Sequence, residues 1–127
     1  MKQILRSLLV TFLITFIVHI SASAQTAGSA TIGKDLVIHL NMDAPLVADY
    51  TFDISNLGFT AKEDAEIFFS RCRDNLMNYT VNFETKTATV HISLEYMEPR
   101  GWGLSEYNEY FGKVSEHYRS VFAAIGE

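Results

Sequence analysis

The run YTVNFETKTATVHISL, Tyr79 to Leu94, constrains the fold more than any other stretch of the chain. Tyr79, Val81 and Phe83 alternate with Thr80 and Asn82. After a break near Glu84 to Thr87, Ala88, Val90, Ile92 and Leu94 alternate with Thr89, His91 and Ser93. A period of two means extended backbone with one apolar and one polar face. The break makes the two runs a hairpin. A lone hairpin is marginal in water, so the remaining elements must cover its apolar face.

Two further runs share that period. In DLVIHLNM, Leu36, Ile38, Leu40 and Met42 oppose Val37, His39 and Asn41; in DYTFDIS, Tyr50, Phe52 and Ile54 oppose Thr51, Asp53 and Ser55. DAPLVA between them carries a proline and reads as a loop. The period then changes. Thr60 and Glu63 have the spacing of a capping box. Ala65, Phe68, Phe69, Cys72 and Leu76 follow at steps of three and four, as one apolar helical stripe. After the hairpin, Pro99, Gly101 and Gly103 break the chain and Ser105 is placed to cap a second helix. Tyr107, Phe111, Val114, Tyr118, Val121 and Phe122 form its stripe. The order β-β-α-β-β-α, with one apolar face per element, predicts an α+β domain. Its four-stranded sheet, antiparallel or mixed, has two helices on one face and the other face open to water.

The N-terminal residues read differently. Lys2 and Arg6 precede the apolar run Leu8 to Ile20, and Ala22-Ser23-Ala24 supplies small residues for cleavage. That order is a secretory signal peptide, residues 1–24, and places the mature chain outside the cytoplasm from Gln25 onward. Residues 25–34, small and polar, read as a flexible leader, and 35–127 as a single domain. The chain carries a formal charge of −5, and loss of Lys2 and Arg6 makes the mature part more acidic. This argues against nucleic-acid binding, which needs basic patches. The only cysteine, Cys72, leaves no internal disulfide and falls in a helical stripe, where it acts as a small buried hydrophobe.

The segment Tyr50 to Leu94 resembles a heavy-metal-associated domain, the ferredoxin-like module of copper chaperones and metal-transporting ATPases. The resemblance rests on the strand YTFDISNL, the helix length, and Val81, Asn82, Phe83, Ala88, Thr89 and Val90 in the hairpin. It covers about half of the mature chain and implies a ferredoxin-like fold. The family binds metal through Cys-x-x-Cys before its first helix; here GFTAKED puts Phe59 and Lys62 at those positions, and neither is a thiolate ligand. The family's last strand is also missing. The strand Asp35 to Met42 is expected to take its place beside Tyr50–Ser55, giving a circularly permuted arrangement.

Three candidate sites follow. If Leu40 faces Phe52, His39 stands opposite Asp53, and a His39–Asp53–His91 group with Glu95 nearby would suit Zn(II) or Cu(II). A solvated sheet face with two ordinary histidines is the competing reading. Arg100 and Trp102 in EPRGWG, with Tyr110 at the edge of the last helix, form a candidate protein-contact patch. The competing reading has Trp102 folded over an open end of the core. Catalysis lacks a nucleophile motif or phosphate loop, so no catalytic residues and no bound cofactor are expected. Asn78-Tyr79-Thr80 is a glycosylation triplet that matters only in a eukaryotic secretory pathway. The sequence therefore favours a small exported binding module without thiolate metal ligands. Its partner would be a protein rather than a small molecule, and a homodimer through the open sheet face is one arrangement. A metal-binding protein using the face histidines is the alternative, and an enzyme the second alternative.

Overall fold

A computed structural model describes residues 27–125. The segment read as a signal peptide lies outside them. In chain order the elements are β1 (Gly28–Ile32), β2 (Ile38–Leu40), β3 (Asp49–Asp53), a 3-10 turn (Ser55–Leu57), α1 (Lys62–Arg71), β4 (Met77–Asn82), β5 (Thr87–Ile92), α2 (Leu94–Met97), a second 3-10 turn (Glu98–Arg100) and α3 (Leu104–Ile125). The strands form one mixed five-stranded sheet in the order β2-β1-β3-β5-β4. Among the described residues no helix is long and apolar enough to cross a membrane.

The α+β class and the β4–β5 hairpin match expectation, and β5 lies between β4 and β3 as an antiparallel neighbour of both. The strand count and the partner of the first predicted strand do not. Gly28–Ile32, expected to be leader, is β1, and it separates β2 from β3. It pairs antiparallel with β2, Thr31 opposite His39, and parallel with β3, Gly28 beside Tyr50. Its glycine has a packing reason. Tyr50 is buried, and a Cβ on Gly28 would lie 2.5 Å from Tyr50 Cε1 and 2.9 Å from Val47 Cγ2. Only glycine lets the backbone lie this close to the ring.

β1 and β2 are joined by a tight turn in which the Leu36 N–H donates to the Gly33 carbonyl at 2.9 Å and the Val37 N–H donates to Asp35 Oδ1 at 3.1 Å. Leu36 holds a left-handed backbone, φ 62°, at a cost of about 1–2 kcal/mol for a residue with a Cβ. Burial of its side chain offsets this cost. The predicted strand Asp35 to Met42 is thereby shortened to Ile38–Leu40.

Helices α1 and α3 pack on one face of the sheet and against each other. Their predicted stripes are the core: Ala65, Phe68 and Phe69 from α1, Cys72 at its C-cap, and Tyr107, Phe111, Tyr118 and Val121 from α3, are buried. Phe68 has no exposed surface and meets four rings, Phe69 at 4.8 Å, Phe59 at 5.6 Å, Phe122 at 5.7 Å and Tyr118 at 6.4 Å between centroids. Phe59, just past the left-handed Gly58, turns into this cluster. The predicted capping box is not made. α1 starts at Lys62 behind Ala61, without a side-chain cap, so Glu63 falls too early in the helix to reach back to Thr60. At α3 the reciprocal half of such a box does form. Glu106, not Ser105, provides it, its Oε2 accepting from the Gly103 N–H at 2.9 Å.

Candidate functional site: the outer face of the sheet

The face turned away from the helices has no buried side chain on β3, β4 or β5. Across it the register sets Asp49, His91 and Asn78 in one row, Thr51, Thr89 and Thr80 in the next, and Asp53, Thr87 and Asn82 in a third. Period two makes this set polar throughout. The rows are tied by side-chain bonds. The hydroxyls of Thr51 and Thr89 share a hydrogen bond at 3.0 Å. His91 Nδ1 lies 2.7 Å from Asp49 Oδ1, and its Nε2 lies 3.1 Å from Thr80 Oγ1. With Nδ1–H donating to the carboxylate, Nε2 is left to accept from the Thr80 hydroxyl.

Carboxylate, imidazole and hydroxyl in that sequence share the connectivity of a hydrolytic triad. Two physical features work against hydrolysis. The His91 and Asp49 side chains are 37% and 53% exposed, so water competes for both. The backbone N–H groups of the sheet lie in its plane, directed along the strand-to-strand axis rather than out of the face where an oxyanion would sit. The relay is a fixed set of hydrogen-bonding groups.

The predicted metal group does not assemble. His39 faces Thr31 because β1 intervenes, so it stands three strand spacings, about 14 Å, from β5. Asp53 pairs with Thr87, four residues along β3 from Asp49. Its carboxylate accepts from the Ser55 N–H at 2.6 Å, and its bonds from Ser55, side chain first and then backbone, lower its pKa. Among the described residues no three His, Cys, Asp or Glu side chains come together as a metal site. The donor set on this face, one imidazole and a carboxylate already bonded to it, does not fit a Zn(II) or Cu(II) centre. Asp49 is the partner missed in the sequence. It shares the parity of Asp53, and only the pairing register distinguishes them.

Of the predicted contact patch, Arg100 is exposed in the second 3-10 turn. Trp102 is half-buried, its ring 5.3 Å from Tyr107 and 6.0 Å from Tyr110, and so covers an end of the core. The Tyr110 hydroxyl donates to Asp74 Oδ2; burial first, and then this bond and the Asp74 charge, raise the pKa of the phenol. Trp102, Glu106, Tyr110 and Lys113 line a shallow cleft of about 160 Å³, below the usual size of a ligand pocket.

Beside that cleft the interior holds neutral acids. Burial pushes the Cys72 thiol up to about 12 and raises Tyr79 and Tyr118, whose hydroxyls share a bond at 2.7 Å. These groups ionise in the unfolded chain first. Their contribution to stability is therefore complete below about pH 8.5 and is lost as pH rises toward the folded-state values. The expected result is a urea midpoint that falls between pH 8.5 and 11, with Cys72 silent to a thiol reagent at pH 8 until urea is added. A flat midpoint, or prompt labelling of native protein, would contradict this. The chain matches no protein-family model, no curated protein and no solved structure, so its likeness to heavy-metal-associated domains rests on the residues quoted above.

Proposed function

We propose that this chain is a small exported, non-catalytic interaction module that binds a protein partner through the outer face of its sheet. The observation that carries this is a face that none of the described residues covers, polar in every row and tied by the Asp49–His91–Thr80 and Thr51–Thr89 bonds. A rigid array of donors and acceptors loses little entropy when a partner binds. Export rests on the basic, apolar and small segments of residues 1–24. The relation to heavy-metal-associated domains is assigned to β3, α1, β4 and β5, and the strand order β3-β5-β4 corresponds to three of the four strands of a ferredoxin-like sheet. In this reading β1 takes the fourth strand position beside β3, β2 extends the sheet beyond it, and the thiolate function is lost with Phe59 and Lys62 in the turn.

The test compares wild-type protein with Thr89→Lys, which puts a long charged side chain at the centre of the face. Both are immobilised and exposed to the extracytoplasmic fraction of the expressing host. A partner retained by wild type and reduced at least tenfold on the variant supports the face as the binding surface. Equal retention on both rejects it. Isothermal titration with Zn(II) and Cu(II), on wild type and His91→Ala, separates this reading from a metal carrier. Tight one-to-one binding lost in the variant would replace it.

A further inference from the structure

The two edges of the sheet are finished differently. At the β2 edge, the Leu40 N–H donates to Asn108 Oδ1 at 2.7 Å and the Leu40 carbonyl accepts from Asn108 Nδ2 at 3.4 Å, so a side chain from α3 closes the strand. β4, at the opposite edge, is longer, and its backbone alternation can be read from its neighbours. The Ile54 N–H donates to the Lys86 carbonyl at 2.8 Å and the Ile92 N–H to the Ala48 carbonyl at 2.7 Å. The even-numbered residues of β5 therefore turn their backbone to β3, and Thr87, Thr89 and His91 turn theirs to Asn82, Thr80 and Asn78 of β4. Met77, Tyr79 and Val81 then point their N–H and C=O groups away from the sheet. Asp74 closes both groups of Met77, accepting from its N–H at 2.8 Å and donating to its carbonyl at 2.9 Å. Asn78 Oδ1 accepts from the Tyr79 N–H at 2.9 Å. The alternation leaves the Tyr79 carbonyl and both backbone groups of Val81 facing outward.

We propose that two copies of this chain pair β4 with β4, antiparallel about a two-fold axis at Val81, into one continuous sheet. In that register the two Val81 residues exchange N–H···O=C bonds, and the Tyr79 carbonyl of each copy meets Phe83 of the other. Val81, Tyr79 and Phe83 are partly buried apolar residues at the rim of the core, and pairing removes their remaining surface from water. A two-fold axis at Val81 sets Val81 against its own copy and Thr80 against Asn82 of the other, so a charge within this short run would lie close to its own image. MNYTVN, the whole of β4, carries no charge, although 20% of the chain is Asp, Glu, Lys or Arg. It also has no proline, so within β4 itself two devices that protect an edge, charge and proline, are absent; just past its end Lys86 sets its Nζ 3.1 Å from the Phe83 ring centroid. The pairing leaves the outer face free and joins two of them side by side.

Sedimentation of protein isolated after expression of the full chain, between micromolar and millimolar concentration, tests this alongside hydrogen exchange of backbone amides. The expected result is a concentration-dependent dimer in which the Val81 amide exchanges at least tenfold more slowly than in dilute monomer, while the Leu40 amide is unchanged. Val81→Lys, with its fold checked by circular dichroism, is expected to weaken the dimer at least tenfold. A monomer throughout the range overturns the proposal. So does a dimer whose Val81 exchange does not depend on concentration, which would place the interface elsewhere, including on the outer face. The exchange readout needs no variant and stands if Val81→Lys fails to fold.

Discussion

A chain beginning at Lys34, lacking β1, is expected to lose its cooperative urea transition and its near-ultraviolet circular dichroism at 25 °C. β1 has paired neighbours on both sides, so its removal opens a gap one strand wide between β2 and β3. β2 has only three residues, and without β1 its sheet partner is gone. The gap uncovers the Tyr50 ring and removes Ile32 from the core. A domain of this size is stable by about 5–15 kcal/mol, and losing a central strand costs a large part of that. The alternative result is equally definite. Were 25–34 a leader with no structural part, the truncated chain would keep its urea midpoint, with stability changed by no more than about 0.5 kcal/mol.

Phe68→Ala is expected to destabilise the protein by about 3–5 kcal/mol, read as a lower urea midpoint at unchanged slope. Phe68 touches Phe59, Phe69, Tyr118 and Phe122, which come from the turn before α1, from α1 itself and from α3. Truncation leaves a hole between elements that cannot all close toward it, and the cavity adds to the lost transfer energy. The neighbouring Ile67 is the control. It is 41% exposed, so Ile67→Ala should cost about 0.5 kcal/mol or less. Similar losses at both positions would mean that the ring cluster does not organise the core.

Period alone placed β3, the β4–β5 hairpin and the buried stripes of α1 and α3. Each is a local property: side chains at steps of two, or of three and four, share a face whatever lies opposite. The polarity of the outer face was legible for the same reason, since His91, Thr89 and Asp53 alternate with apolar neighbours. Trp102 folded over the core was one of two readings, and its contacts with Tyr107 and Tyr110 follow that one.

What the sequence could not determine was non-local. β1 is short and its apolar period rests on Ala30 and Ile32 alone, while Gly28 answers to the Tyr50 ring, a neighbour more than a dozen residues away that a sequence window does not see. With β1 unrecognised, β2 was set beside β3 and His39 opposite Asp53. The inserted strand moves His39 away, and the register gives His91 to Asp49. Parity decides which face a residue occupies. Which residue lies across from it is decided by how strands pair through turns and close contacts, and that exists only once the chain has folded.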